Sequence, residues 1–184
     1  MHRAGSPKDL PPASPPGLDR CLSGVVDHKR MTDRIDAKLT ELGLSLPAPV
    51  APVAAYVPAV QAGGLLHISG QLPFDSGQVM TGRAGEDRDL AYAQLAAQRC
   101  ALMLVAQMKQ ALGGLHRVER IVKLGVFVNS AGDFTDQPKV ANGASELMVA
   151  LFGEVGRHAR SAVGVAVLPL GAVVEIDAIV QIAP

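Results

Sequence analysis

The last quarter of the chain holds the residues best suited to chemistry, an arginine followed by small and β-branched side chains. These side chains alternate over residues 160–167, Leu-Pro-Leu-Gly at 168–171 interrupts them, and a second alternating run follows. The planar guanidinium of an arginine carries a fork of donors that fits the two oxygens of a carboxylate. We therefore interpret Arg160 as a carboxylate-binding group, although a surface arginine in an ordinary ion pair fits the local sequence equally well.

Two alternating runs on either side of this break predict a β-hairpin. Successive side chains of a strand point to opposite faces, so Arg160, Ala162 and Gly164 share one face while Val163 and Val165 share the other. We expect the valine face to enter the core. The small residues of the first face leave room for a shallow pocket with the guanidinium at its mouth.

The second candidate is Glu175, which lies in an apolar stretch with Asp177 two residues further on. The two carboxylates share one face of the strand, and burial would raise the pKa of Glu175 far enough for proton transfer near neutral pH. A solvent-facing acid pair fits the same pattern. The hairpin pairs Glu175 with residues 163–165, so a small substrate spans Glu175 and Arg160 only if a bulge or twist brings them together.

Hydrophobic periodicity, capping residues and turn residues predict the elements that position these side chains. A short helix is expected from Thr32 to Gly43, and two longer helices are expected over residues 89–112 and 138–152. Strands are expected over residues 53–61, 65–69 and 120–129 and in the C-terminal hairpin, with a turn at 75–77. The order β-β-(β)-α-β-α-β-β predicts an α+β fold with a mixed or antiparallel sheet and two helices packed on one face. Residues 121–128 are apolar in both registers, which indicates burial on both sheet faces and hence self-association.

Bulk composition argues against several classes of function. Lys+Arg and Asp+Glu both number 17, aromatic residues make up 3% and Trp is absent, a composition that disfavours nucleic acid as a partner. The five histidines lack ligand spacing, the two cysteines form no metal or disulfide pattern, and no phosphate-binding motif occurs. No apolar run reaches membrane-spanning length. We expect a cytoplasmic protein with no metal, no cofactor and no membrane partner.

The N-terminal segment differs from the rest of the chain. Residues 1–30 hold five of the 13 prolines and little apolar periodicity. We interpret residues 1–30 as a disordered or non-native extension and residues 31–184 as a single domain. Met31 precedes Thr32 and Asp33, which suit a helix start, and is therefore a candidate for the true initiator.

Several short motifs occur together in an order typical of one family. Arg160-Ser161 leads into the valine-rich residues 163–167, then Leu168-Pro169 and Glu-Ile-Asp-Ala-Ile at 175–179; upstream lie Tyr-Val-Pro-Ala-Val at 56–60 and Ile-Ser-Gly-Gln-Leu-Pro at 68–73. Together with Asn142 on the second long helix, this set resembles the RidA/YjgF family of reactive-intermediate (imine) deaminases over residues 56–182. Some relatives in that family are labelled L-PSP endoribonucleases.

The resemblance implies a chorismate-mutase-like fold that assembles as a homotrimer, with active sites in the clefts between subunits. It implies catalytic roles for Arg160, which grips the carboxylate of a small substrate, and for Glu175, which helps to hold the attacking water. It also implies substrate-binding roles for Tyr56, Ser69 and Asn142, with Tyr56 reaching into the site of the neighbouring subunit. Considered alone, these three residues are equally well a rim tyrosine, a turn serine and a solvated helix residue.

The sequence departs from the family pattern at Ala162, a pocket position where many relatives carry cysteine. A thiol nucleophile is therefore excluded there, and a mechanism that uses water remains. The extended segment 137–145 resembles a less-studied branch of the family. Three functions stay open: hydrolysis of 2-imino or enamine acids to 2-keto acids and ammonia, non-catalytic binding of small carboxylates as a sensor or carrier, and, disfavoured by the neutral charge, action on RNA.

Overall fold

The computed structural model describes residues 28–49 and 55–184. Along the chain the elements are α1 (His28–Glu41), β1 (Ala59–Ala62), β2 (Leu65–Gln71), β3 (Phe74–Asp75), β4 (Gln78–Val79), α2 (Leu90–Leu112), β5 (Val118–Asn129), α3 (Gln137–Phe152), β6 (Ala159–Val165) and β7 (Val174–Ile182). The interpretation of residues 1–30 as an extension falls outside the described residues, except that His28–Arg30 belong to α1. Because the helix already begins at His28, the predicted helix start at Thr32 is wrong.

The main sheet has five strands in the order β1-β2-β7-β5-β6, and every neighbouring pair is antiparallel except β5 and β6. Helix α2 packs on β2 and β7, and α3 packs on β5 and β6, so the two helices cover one face of the sheet side by side. Helix α1 adds to this layer by packing on α3 and burying Ile35 and Leu39. The predicted fold class, α+β with a largely antiparallel sheet and two helices on one face, is confirmed.

Local sequence explains where α2 begins and ends. The Asp89 carboxylate accepts a hydrogen bond from the backbone N–H of Tyr92 at 2.8 Å, which caps one of the free donors of the first turn. Gly113 ends the helix with φ of +69°, a left-handed conformation that favours glycine. The predicted span of 89–112 is therefore confirmed to within one residue.

Close packing of α3 on α2 depends on Gly143. A Cβ atom on this residue would collide with the backbone carbonyl of Gln94, so only glycine lets the helices approach this closely. The first turn of α3 contains Pro138, as predicted, because the N–H that proline lacks has no partner inside a helix at that position. Gly143 therefore fixes how closely α3 approaches α2, and Pro138 suits the start of α3.

The predicted C-terminal hairpin is wrong. Strand β6 pairs in parallel with β5, with Arg160 opposite Leu124, and β5 lies between β6 and β7. The break of residues 166–173 is long enough to cross β5, and its end is tied elsewhere: Val173 donates to Met80 O and accepts from Asn129 N. Alternation identifies a strand but carries no information on which strand lies beside it.

The two faces of β6 are also the reverse of the prediction. Arg160 and Ala162 share the face of Leu124 and Val126, which are buried under the helices. Val163 points away from the helices and is 47% exposed. The valine face therefore belongs to the side of the sheet that no helix of the described chain covers.

We call this second side the open sheet face. Paired residues form rows across it, and the three rows are Glu175–Phe127–Val163, Asp177–Gly125–Ser161 and Ile179–Lys123–Ala159. Within the described residues no second layer of helices or strands packs on these rows, although several of their side chains are half-buried. A face of this kind, partly apolar and without a covering layer, is the surface on which self-association was predicted.

Candidate functional site

The Arg160 guanidinium is held against α3 by three hydrogen bonds. Nη1 donates to Asn142 Oδ1 at 3.1 Å and to Ser145 Oγ at 2.9 Å, and Nη2 donates to the backbone oxygen of Pro138 at 3.0 Å. Asn142 and Ser145 are one helical turn apart, so both side chains lie on the face of α3 that meets β6. The structure thus brings two of the predicted residues, Arg160 and Asn142, into direct contact.

These three bonds use only part of the donor capacity of Arg160. A guanidinium has five N–H groups, and here Nε–H and one N–H of Nη2 have no partner among the described residues. Nε and Nη2 lie on the same edge of the planar group, which is the edge that binds a carboxylate with two parallel hydrogen bonds. The Arg160 side chain is half-buried, so part of it remains exposed to solvent.

Ala162 lies on the same face of β6 as Arg160, two residues further on. Its methyl group is half-buried and packs against the core beneath α3. It supplies an apolar wall next to the guanidinium and no reactive group. This placement agrees with the predicted position of Ala162 beside the arginine.

Neither Ser145 nor His158 was singled out from the sequence as a site residue. In the structure His158 Nε2 lies 3.0 Å from Ser145 Oγ, and His158 Nδ1 lies 2.6 Å from the backbone oxygen of Gly156. Burial lowers the pKa of His158, the Gly156 contact raises it and the Arg160 charge lowers it, with a net shift downward. The sequence did contain one indication of Ser145: it follows Asn142 by three positions on a predicted helix, and residues with this spacing lie on the same helix face.

Glu175 lies on the open sheet face, away from Arg160, and Ser69 lies near it in the chain fold through β2. The half-buried Glu175 carboxylate lies over Gly70 of β2, where a Cβ atom would collide with it. The neighbouring Ser69 donates from Oγ to the backbone oxygen of Val57 at 3.0 Å, which fastens the segment that carries Tyr56 to the end of β2. Tyr56 is 50% exposed, so its ring stands at the surface.

The environment of Glu175 favours its protonated form. Burial raises the pKa of this carboxyl, and the charge of Asp177 on the same strand face raises it further. Asp177 has a partner of its own, since its Oδ1 accepts the backbone N–H of Gly125 at 3.1 Å. A carboxyl with a raised pKa exchanges protons closer to neutral pH than an ordinary glutamate.

Arg160 and Glu175 do not meet within one protomer. Strand β6 is two strands from β7, which places their backbones roughly 10 Å apart across the sheet. Arg160 is level with Ala178, so Glu175 is also displaced by roughly 10 Å along the strands, and its side chain points to the opposite face. The expectation that a bulge or twist could let one small substrate span both residues inside one protomer is therefore wrong.

Replacing Glu175 by glutamine is expected to stabilise the protein at alkaline pH. Folding raises the pKa of Glu175, so ionisation of this carboxyl favours the unfolded protein. Well below about pH 4.3, the ordinary pKa of glutamate, Glu175 is neutral in both the folded and the unfolded protein and the raised pKa has no effect on stability. The gain of Glu175→Gln should thus be absent at low pH, grow as the pH rises through the raised pKa, and then stay constant.

Thermal unfolding of both proteins at about pH 4 and about pH 8 measures this difference. The exposed Glu154→Gln is the matched control, because Glu154 is paired with Arg157 and lies away from Asp177. An equal gain at both pH values would show that the Glu175 carboxylate is not destabilised in the fold.

No group of three His, Cys, Asp or Glu side chains within residues 28–49 and 55–184 is placed to hold a metal ion. None of the helices in the described part of the chain has the length and apolar character needed to cross a membrane. The side chains around Arg160 and Glu175 offer an anchored guanidinium, a histidine–serine pair and a carboxyl with a raised pKa.

The five-stranded sheet backed by two helices defines a chorismate-mutase-like class of small α+β proteins. Residues 36–181 match the family described as "YjgF/chorismate_mutase-like, putative endoribonuclease". The chain belongs to this family, and the resemblance seen in its sequence motifs is confirmed.

Similar proteins agree with this assignment. Protein TCP17 of Trypanosoma cruzi is 56% identical over 151 residues, which cover 81% of this chain and 94% of that protein. The structure of Atu1372 from Agrobacterium tumefaciens has 49% sequence identity and a TM-score of 0.80, covering 85% of this chain and 98% of that one. A 2-iminobutanoate/2-iminopropanoate deaminase of Dermatophagoides farinae is 29% identical over 141 residues, 76% of this chain and 94% of the relative.

Proposed function

We propose that this protein hydrolyses 2-imino or enamine acids to 2-keto acids and ammonia, in clefts between the subunits of a homotrimer. The observation that carries the proposal is the Arg160 guanidinium, which α3 holds in place while its Nε–H and one N–H of Nη2 have no partner among the described residues. The deaminase name of one relative supports the reaction class. The separation of Arg160 from Glu175 supports the intersubunit site, because only a neighbouring subunit can bring a second Glu175 to the Arg160 edge.

In the proposed reaction Arg160 binds the substrate carboxylate and so holds the imine carbon in one place. A water molecule beside Glu175 of the adjacent subunit attacks that carbon, and the carboxylate accepts the proton that the water loses. The same proton then passes to the nitrogen of the tetrahedral intermediate. Glu175 next takes the hydroxyl proton of the intermediate and delivers it to the amino nitrogen, so that the C–N bond breaks with release of ammonia as the C=O bond of the keto acid forms. An imine is already electrophilic, so this sequence needs no cofactor.

The other predicted residues divide between the two sides of the proposed cleft. Asn142 stays with Arg160 as part of the carboxylate-binding side, and Ala162 forms its apolar wall. Ser69 and Tyr56 accompany Glu175 on the side supplied by the adjacent subunit. In this arrangement the exposed ring of Tyr56 covers the substrate and restricts bulk water.

Glu175→Gln is expected to retain ligand binding and lose turnover. Glutamine keeps the shape of the side chain but cannot accept a proton from water, and a general base contributes roughly a hundred-fold or more to a rate. The measurement pairs calorimetry with 2-keto acids and a coupled assay in which an amino-acid oxidase generates the imine. Asp177→Asn is the control that keeps Glu175 ionisable.

The same assay separates catalysis from the carrier function. If the wild-type protein binds 2-keto acids through Arg160 but hydrolyses no imine, the protein is a carboxylate carrier or sensor and the proposed reaction is wrong. If Glu175→Gln turns over like the wild type, Glu175 is not the base.

A further inference from the structure

A chain of hydrogen bonds runs from the backbone of Gly156 through His158 and Ser145 to Arg160. Arginine can only donate, so Ser145 Oγ is the acceptor of the 2.9 Å bond from Arg160 Nη1. The hydroxyl proton of Ser145 is then free to be donated to His158 Nε2 at 3.0 Å. His158 Nδ1 must carry the ring proton, because its neighbour at 2.6 Å is the Gly156 oxygen, which can only accept.

The neutral Nδ1–H tautomer of His158 satisfies all three contacts, with Nδ1–H donating to Gly156 and Nε2 accepting the hydroxyl proton of Ser145. A proton on Nε2 would point at Ser145 Oγ and force the hydroxyl hydrogen away from the ring. The lowered pKa of His158, caused first by burial, agrees with a neutral ring near pH 7. The carbonyl of Gly156 fixes the ring proton on Nδ1, the guanidinium of Arg160 makes Ser145 Oγ an acceptor, and the neutral ring then makes Nε2 the acceptor of the Ser145 hydroxyl proton.

We infer that His158 and Ser145 are positioning residues that orient Arg160 for carboxylate binding, a conclusion that rests on the proposed function. Ser145 supplies one of the three acceptors that hold the guanidinium. His158 accepts the hydroxyl proton of Ser145 and so keeps the lone pairs of Ser145 directed toward Arg160. Without His158 the hydroxyl can rotate and bond to the helix backbone instead, as serine commonly does inside helices. His158 therefore acts on the substrate only through Ser145 and Arg160.

The test uses the full chain with Ser145→Ala, His158→Ala, His158→Gln and the double variant Ser145→Ala/His158→Ala. Glutamine places Oε1 the same number of bonds from Cα as histidine Nε2, so His158→Gln retains an acceptor for Ser145. The readouts are KM and kcat in the oxidase-coupled imine assay, the Kd of pyruvate by calorimetry, and the ¹⁵N chemical shifts of the His158 ring. Circular dichroism and light scattering check that each variant is folded and assembled.

Ser145→Ala should raise KM and the pyruvate Kd about ten-fold, the effect of one hydrogen bond to a charged group, and leave kcat nearly unchanged. His158→Ala should raise both constants by less, and His158→Gln should restore most of the loss. The double variant should be no worse than Ser145→Ala, because a residue that acts through another adds nothing once the other is removed. The ring shifts should report the Nδ1–H tautomer.

Additive losses in the double variant, an Nε2–H tautomer, or unchanged constants in both single variants would each overturn the positioning role. The Arg160→Ala variant distinguishes a failure of the positioning role from a failure of the proposed carboxylate site. If Arg160→Ala loses pyruvate binding while the Ser145 and His158 variants do not, only the positioning role is wrong. If Arg160→Ala binds pyruvate like the wild type, the proposed carboxylate site itself is wrong, and the positioning role falls with it.

Discussion

Arg160→Ala is expected to abolish binding of 2-keto acids and hydrolysis of imines while the protein remains folded. The variant removes both free donors of the carboxylate-binding edge, and a hydrogen bond to a charged group contributes about 1.5–3 kcal/mol. The affinity should fall roughly ten- to a hundred-fold for each bond lost. Arg160→Lys should fail nearly as badly, because a single ammonium cannot reproduce two parallel donors.

Calorimetry with pyruvate and the oxidase-coupled assay measure both effects. Arg157→Ala is the matched control, since Arg157 lies three residues earlier, is exposed, and pairs only with Glu154 within the described chain. This control should bind and turn over like the wild type. Full binding by Arg160→Ala, or an equal loss in Arg157→Ala, would refute a specific carboxylate site at Arg160.

Two inactive variants are expected to restore activity when their subunits are mixed within one trimer. Arg160→Ala keeps Glu175, and Glu175→Gln keeps Arg160, and in the proposed cleft these two residues come from different subunits. In randomly mixed trimers about a quarter of the clefts receive both intact residues. Co-expressed or co-refolded variants should therefore recover about a quarter of the wild-type rate, from partners that are each nearly inactive.

The mixing experiment needs two controls. Light scattering must first give the mass of a trimer at micromolar concentration, and a monomeric mass would refute both the trimer and the shared cleft. The two variants must also be assayed in one tube without subunit exchange, where no activity should return. If exchange yields no recovery although hybrid trimers are present, Arg160 and Glu175 do not act across a subunit boundary.

Much of the secondary structure could be predicted because local chemistry determines it. Helix α2 begins at the Asp89 cap and ends at Gly113, and both features are visible in the sequence. The turn between β3 and β4 was predicted for the same reason, since Ser76 and Gly77 adopt positive φ angles of 50° and 82°. The order of helices and strands, with the family motifs, was then sufficient for the fold class.

The neighbours of each strand could not be predicted in this way. The sequence around the Leu-Pro-Leu-Gly break is compatible with a tight hairpin, but residues 166–173 carry the chain past β5 and place β6 in a parallel pair. Pairing partners are decided by the packing of the whole sheet, where the helix-side residues Leu124 and Val126 select which face of β6 is buried. An alternating pattern with small residues on one face and valines on the other indicates neither which strand lies beside β6 nor which of its faces is buried.

By itself, the sequence determined the residue types and their order: one arginine that can bind a carboxylate, one glutamate in an apolar strand, and the helices and strands that carry them. Only the tertiary structure decided that Arg160 faces α3 while Glu175 faces the open side of the sheet. It also decided that His158 and Ser145 meet, although they are thirteen positions apart in the chain. The physical reason is that contacts between elements depend on how helices and strands pack, whereas capping, turns and periodicity depend on neighbours along the chain.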